Sequence, residues 1–327
     1  MSVPETSHIA SKATGRAVAF LASHEDQAEG LGASLADSIN DPEAFAAALT
    51  AGLSELADPA YLVGQQRVAP GIGPIHGVRA PLLAAIQRGF RRATRDERPT
   101  PLLFVVDRLF RERELEARWL AFGLLERTLR LETERTWQLL RRAAREAGDW
   151  ITVDSLAHPY ADGIAAEPYR WAELEQLVYS PSRWERRLVG STIATMTHLD
   201  RGHRRGQDPE LAGHALPLLA SLMGDAEPDV QKSLAWAYRS LVAVDRSATV
   251  AALRAQTEQA ASTDDGHRAW VIRDTLAKLD PATAQGFRDR LSGVRRKPGA
   301  PATSSSAETA SRFGQLPDPV SHPEPPL

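Results

Sequence analysis

Several residue types and patterns are missing from this sequence, and each absence excludes a class of protein. The 327 residues contain no cysteine, which excludes a disulfide framework, a zinc knuckle and a thiol nucleophile. No apolar run approaches the roughly 18–20 residues that a membrane helix requires, so we expect no membrane partner. The first residues lack a basic stretch leading into an apolar one, so the sequence does not indicate secretion. We therefore expect a cytoplasmic protein.

Lysine is also scarce, because only four of the 39 basic residues are lysine and the others are arginine. Arginine suits two-pronged contacts with phosphate, although a biased genomic composition also explains such an excess. The net charge of −3 argues against a nucleic-acid partner, but the charge is unevenly distributed. Residues 1–60 hold two basic and nine acidic side chains, and the remainder of the chain has more basic than acidic ones. Charge alone therefore does not decide the partner.

The dominant local signal is helical. Long stretches rich in Ala, Leu, Arg and Glu are separated by short turns with Pro, Gly or Asp, and alternating strand-like runs are almost absent. This pattern predicts an all-α protein with fourteen helices. Three regions are expected: an acidic, partly helical N-terminal extension over residues 1–40, a repeat domain over 41–292, and a tail over 293–327. The tail is rich in Pro, Ser and Ala and is predicted to be disordered.

The helices contain a weak internal repeat. In four of them a basic residue is followed by any residue, an apolar residue and a small or β-branched one, and a fifth copy begins with an acid instead. Successive copies begin 36, 33, 45 and 36 residues apart, which is the period of a two-helix HEAT or armadillo unit. The longest interval holds residues 199–206, a plausible insertion. We expect an α-solenoid of antiparallel helix pairs with a concave groove. The copies begin at Arg118, Asp154, Arg187, Lys232 and Arg268.

The acidic copy is the most informative one. Asp154 stands where the other copies place a base, and it lies one helical turn after Trp150. Trp236 lies off the apolar stripe of its own helix, beside Lys232 and Arg239. A row of bases suits a phosphate backbone, whereas one carboxylate in that row repels it. Such a local conflict is expected at a functional site.

Three segments carry a resemblance to a known family. Residues 149–156 (DWITVDSL), 184–187 (WERR) and 230–236 (VQKSLAW) resemble the AlkD-type DNA alkylation repair family in order and approximate spacing. Tyr61, residues 77–81 and residues 112–117 add further matches, and the resemblance covers about residues 43–290. One departure is Asp149, which stands where the family often has a second aromatic residue.

The resemblance implies a HEAT-like α-solenoid with a concave DNA-binding groove, a glycosylase that hydrolyses the N-glycosidic bond of cationic N3- and N7-alkylated purines in double-stranded DNA. It implies that Asp154 stabilises the oxocarbenium-like sugar and positions water, and that Trp150 and Trp236 form aromatic walls. Arg187 takes the role of phosphate anchor. We expect a nucleoid-associated monomer without an obligate protein partner, a cofactor or a metal. Further DNA contacts are expected from four bases: Arg118, Lys232, Arg239 and Arg268.

Two other function classes remain open. One is a DNA-binding or damage-sensing relative without hydrolase activity, and the other is a HEAT-type scaffold for protein interactions. A scaffold has no reason to pair Trp150 with Asp154 inside a basic row, and a simple DNA binder is better served by a base at position 154. The acidic N-terminal arm could mimic DNA and cover the groove.

Overall fold

The computed structural model describes residues 5–69, 71–198 and 209–313, and within these ranges it is helical throughout, with no strand. The predicted all-α fold class is therefore confirmed. Across the described ranges, none of the helices combines the length and apolar character needed to span a membrane. The predicted insertion at 199–206 and the end of the tail, residues 314–327, lie outside the described residues.

Sixteen α-helices and three short 3-10 helices occur in the described ranges. The first eight α-helices are α1 (Glu5–Ser34), α2 (Pro42–Glu55), α3 (Pro59–Val68), α4 (Ala80–Ala93), α5 (Pro99–Leu109), α6 (Leu115–Thr128), α7 (Thr133–Glu146) and α8 (Trp150–Ala166). They are followed by α9 (Trp171–Leu177), α10 (Arg183–Met196), α11 (Pro209–Leu222), α12 (Pro228–Leu241), α13 (Arg246–Thr263), α14 (Gly266–Thr275), α15 (Pro281–Arg290) and α16 (Ser305–Phe313). The 3-10 helices are Leu35–Ser38, Pro168–Arg170 and Leu276–Lys278.

Asp-Pro pairs start several of these helices. The aspartate caps the first turn by accepting a backbone N–H, and the proline that follows has no N–H to leave unpaired. Asp41 accepts from Ala44 in this way at the start of α2, and Asp280 from Thr283 at the start of α15. Asp58 caps α3, a helix that the sequence analysis did not predict although it carries the same signal.

The described residues fall into two compact units, divided between Ala143 and Ala144. The boundary lies inside the predicted repeat domain 41–292, near the end of α7. In unit 1, α1 packs along α4, and α5 contacts both α2 and α6. In unit 2, α8, α10, α12 and α14 pack side by side in that order, while α11, α13 and α15 form a second layer. Within unit 2 this order of contacts is consistent with the α-solenoid that the sequence repeat predicts.

Part of the tail that was predicted to be disordered is held in place. The backbone N–H of Thr303 donates to the carbonyl of Gly224 (2.9 Å), and the ring Nε2 of His267 lies 3.0 Å from the carbonyl of Ala300. Beyond these contacts α16 packs on α11. The composition of the tail does not predict its ordered structure, because its hydrogen-bond partners belong to distant loops and helix ends rather than to the tail itself.

The N-terminal extension, for which the sequence predicts an acidic and partly helical segment, contains the 30-residue helix α1. Two glycines allow α1 and α4 to approach closely: a Cβ at Gly32 would overlap the carbonyl of Ile86, and one at Gly89 would overlap the carbonyl of Glu29. The two backbones therefore touch, and Ala28 on α1 and Leu35, the residue just after α1, are buried. This packing makes the extension an integral part of unit 1.

Gly32→Ala is expected to lower the free energy of unfolding by about 1–3 kcal/mol, because the added methyl group must push two backbones apart. Gly30→Ala is the matched control, since it lies two residues away on the same helix with open space around its Cα. It is expected to raise stability by about 0.5–1 kcal/mol through helix propensity. Urea unfolding followed by circular dichroism measures both. Equal effects of the two variants would contradict the close packing of α1 on α4.

Candidate functional site

Helix α8 carries the acid and the tryptophan that the sequence singled out. Asp149 starts the helix by accepting the backbone N–H of Thr152 (2.8 Å) and its hydroxyl (2.6 Å). Trp150 is the first helical residue and Asp154 follows one turn later, both partly buried. The departure at Asp149 thus has a structural role, because this side chain fixes where α8 begins.

Three hydrogen bonds from α10 hold the carboxylate of Asp154. Arg187 donates twice, from Nε to Oδ1 (3.1 Å) and from Nη2 to Oδ2 (2.7 Å), and the hydroxyl of Ser191 donates to Oδ1 (2.7 Å). The Asp154 side chain nevertheless keeps 23% of its surface exposed, against 6% for Arg187. Since a carboxylate has about four acceptor positions, one remains for water or a ligand. The site therefore offers an oriented, accessible negative charge.

Arg187, for which the sequence predicts a phosphate-anchoring role, is engaged by groups of unit 2 in this structure. Its third nitrogen, Nη1, donates to the carbonyl of Asp229 (2.7 Å), so every guanidinium nitrogen binds a protein acceptor. The guanidinium carbon also lies 6.0 Å from the ring centre of Trp150, at the limit of a cation–π contact. Arg187 is buried because α10 packs between α8 and α12. In this structure it positions Asp154 and contacts Trp150.

The second predicted aromatic wall lies two helices away from the first. Trp236 is partly buried on α12, and α10 separates α12 from α8. In the described ranges no ring contact or hydrogen bond joins Trp236 to Trp150 or to Asp154. Lys232, one turn before Trp236, is exposed, whereas Arg239 donates to the carboxylate and the carbonyl of Asp274. Of these two bases, Lys232 is the one presented to solvent.

The remaining bases of the predicted row have different surroundings. Arg268 is buried and bonds to Asp265 and Gln256, so its guanidinium is already engaged within unit 2, and its contact with DNA stays a prediction. Arg118 belongs to unit 1, where it is partly buried and its Nε has no hydrogen-bond partner. Positions equivalent in the repeat therefore do not present a uniform line of cations.

Sequence reasoning missed the two groups that complete the Asp154 site. The sequence analysis assigned no role to Ser191 or to the carbonyl of Asp229. The spacing held a signal for Ser191, since it follows Arg187 by four residues and so shares its helix face. Within 5–69, 71–198 and 209–313, no group of three or more His, Asp and Glu side chains is placed to hold a metal ion.

The early segments that carry the family resemblance meet in unit 1. The buried carboxylate of Glu116 accepts the backbone N–H of Gly77 (2.8 Å), and Arg79 pairs with Asp58 (2.7 Å) and lies 4.9 Å from the ring centre of Tyr61. Burial alone would raise the pKa of Asp58, but hydrogen bonds from Arg79 and from two backbone N–H groups hold that pKa below its usual value. These contacts hold in place the loop between α3 and α4, which contains Gly77 and Arg79.

Comparison with known proteins supports the resemblance. The family model described as DNA alkylation repair enzyme matches residues 49–279, a segment that includes Trp150, Asp154, Arg187 and Trp236. No individual curated protein matches the chain. Enzymes of such a family act on DNA, so the match also implies DNA as the substrate. Because the match spans well over half of the sequence, the chain belongs to the DNA alkylation repair enzyme family.

Proposed function

We propose that this protein is a DNA glycosylase that removes cationic N3- and N7-alkylated purines from double-stranded DNA. One observation carries the proposal: in a DNA repair family, Asp154 is held by Arg187 and Ser191 on one side and remains open on the other. The sequence predicted the acid, and the contacts of α10 supply the means by which it is oriented.

The chemistry of the substrate suits a lone carboxylate. Alkylation at N3 or N7 gives the purine a positive charge, so the base leaves with the electrons of the C1′–N bond as a neutral molecule. Positive charge then develops on the sugar, as in glycoside hydrolysis. Asp154 stabilises that charge and orients a water molecule, whose oxygen bonds to C1′ while its proton passes to the carboxylate or to solvent.

The bonds from α10 have two opposed effects on catalysis. The bidentate hydrogen bonds from Arg187 and the hydrogen bond from the Ser191 hydroxyl fix the plane of the Asp154 carboxylate. The carboxylate therefore need not reorient when the sugar becomes cationic. The positive charge of Arg187 also weakens the field that Asp154 projects. Because Arg187 lies behind the carboxylate and is nearly buried, the exposed side of Asp154 still presents negative charge.

The aromatic and basic neighbours supply binding. Trp150 lies one turn before Asp154 on α8, so its ring can meet the sugar or the charged base through a cation–π contact. Trp236 offers a second indole face on α12, and the exposed Lys232 beside it suits a backbone phosphate. These roles remain proposals for residues that the fold presents on two different helices.

A second candidate is a DNA-binding protein in which the Asp154–Arg187 ion pair only links two helices. A comparable ion pair exists in the same unit, where Nε of Arg186 donates to Asp225 (2.7 Å). The two acids differ in exposure, however, because the Asp225 side chain is 3% exposed and that of Asp154 is 23% exposed. An acid that only links helices does not need an exposed carboxylate, so the exposure of Asp154 favours the glycosylase over the second candidate.

Asp154→Asn is expected to slow release of 7-methylguanine from duplex DNA by about 10²–10³-fold, because the amide lacks the negative charge that stabilises the sugar cation. Single-turnover excision with enzyme in excess measures the chemical step. Asp225→Asn is the matched control, since it removes one carboxylate from a similar aspartate–arginine tie in the same unit. It is expected to lose stability while keeping the excision rate. Undiminished excision by Asp154→Asn would contradict the mechanism, and wild-type binding without excision would favour the second candidate.

Arg187→Lys separates a positioning role from a phosphate contact. A lysine keeps the charge but cannot grip Asp154 with two N–H groups, so the excision rate is expected to fall by about 10-fold or more. The affinity for undamaged duplex and its salt dependence are expected to stay unchanged. A salt slope that falls by about one unit in Arg187→Ala would instead show a phosphate contact and overturn the positioning role.

A further inference from the structure

An open cleft in unit 1 is lined entirely by arginine. Its volume is about 640 Å³, and none of its residues belongs to the site around Asp154. Four of the side chains come from the last turns of α4 and the residues just after it, and the fifth comes from the end of α6. The lining residues are Arg88, Arg91, Arg92, Arg95 and Arg127.

The spacing of these residues explains how they gather. Arg91 and Arg92 follow Arg88 by three and four residues, which places them near it on α4, and Arg95 lies in the turn just after the helix ends. Arg127 links the end of α6 to the end of α4. Its guanidinium donates to the hydroxyl of Thr94 (2.7 Å) and to backbone carbonyls of the loop that follows α4. The cleft is thus part of the packing of α4 and α6 and not a chance meeting of loose side chains.

Five arginine side chains converge on the cleft, whose surface is formed mainly by their apolar stems. Burial and the neighbouring Arg91 lower the pKa of Arg127 below its usual value, although Glu97 and Asp96 act in the opposite direction. Within the part of the chain that the structure describes, neither Arg91 nor Arg95 forms a hydrogen bond or an ion pair with another side chain. Like charges held together in this way attract an anion, and guanidinium groups match the geometry of phosphate oxygens.

Two carboxylates of α1 reach the same cleft. Glu25 pairs with Arg88 (2.7 Å) and Glu29 pairs with Arg92 (2.6 Å), so two acids four residues apart meet two arginines four residues apart. Arg88, Arg92 and Glu25 remain half-exposed or more, and exposed ion pairs contribute only about 0–1 kcal/mol. A phosphate group with several oxygens can therefore displace them. Helix α1 also lies outside residues 49–279, the part that matches the family.

We propose that this cleft is a second binding site of the protein, one that takes phosphate oxyanions, and that Glu25 and Glu29 occupy two of its five guanidinium groups until a phosphate displaces them. The phosphates belong either to the backbone of a DNA duplex or to a free polyphosphate, since both present the same oxygens to arginine. The site does not depend on the glycosylase activity, because it contains no residue of the Asp154 site.

The double variant Arg91→Ala/Arg95→Ala tests the cleft with two probes. Calorimetry measures the affinity for tripolyphosphate, and fluorescence anisotropy measures the affinity for a lesion-free duplex at several salt concentrations. A loss of about 10-fold or more for tripolyphosphate identifies a free polyphosphate as ligand. A loss for the duplex, with a salt slope smaller by about two, identifies backbone phosphates. Unchanged affinity for both probes overturns the proposal.

Arg288→Ala/Arg312→Ala is the matched control, because it removes two exposed arginines outside the residues that match the family. It is expected to bind both probes like the wild type; an equal loss in the control would show general charge attraction and overturn the specific site. The variant Glu25→Gln/Glu29→Gln tests the competition directly and is expected to bind the relevant probe about 3–10-fold more tightly. Unchanged or weaker binding by this variant would contradict the competing role of α1. Excision of 7-methylguanine is measured separately, so failure here leaves the glycosylase proposal untouched.

Discussion

The bond between Asp154 and Arg187 is the interaction on which the proposed site depends. It joins α8 to α10, the two helices that position Trp150 and Ser191, and it sets the direction in which the carboxylate faces. An ion pair with so little exposure contributes less to stability than its contacts suggest, because both charges lose water on folding. Breaking it by removing one partner is costly, since the other charge is left behind in a poorly solvated place. The pair therefore constrains geometry more than it adds stability, which is the requirement for an electrostatic catalyst.

Much of the site on α8 could be predicted from the sequence, because helix periodicity acts within one element. Trp150 and Asp154 lie one turn apart whatever the helix packs against, and Asp149 has the residue type of a cap. The pairing of Asp154 with Arg187 was missed for a different reason. Equivalent positions of neighbouring repeats lie side by side when helices stack, so an acid next to a base in the repeat frame predicts an ion pair. The sequence analysis instead assigned the whole row of bases to phosphate contacts, although Arg268, like Arg187, is buried and bonded to an aspartate.

The fold was predictable to a similar extent and for similar reasons. Helix existence followed from composition and periodicity, and the all-α class was correct. Helix α3 was missed because it is short and its apolar residues do not form a stripe on one face, although Asp58-Pro59 marks its start. Helix α16 and the segment before it were assigned to disorder because composition measures what a segment can bury by itself. Their order comes instead from single hydrogen bonds to groups such as the Gly224 carbonyl and the His267 ring, which no local pattern reveals.

Helix α1 shows why the net charge of the chain says little about its partners. Its acidic side chains account for part of the negative total, yet two of them lie against arginines of unit 1. Glu25, Glu29 and Gly32 share the face of α1 that meets α4, so the close backbone approach at Gly32 brings both carboxylates within reach of Arg88 and Arg92. The packing itself rests on buried apolar residues and not on these pairs, since the pairs are exposed and weak. The carboxylates can therefore turn away from the arginines while α1 stays in place, and an incoming phosphate need not unfold any part of unit 1 to bind.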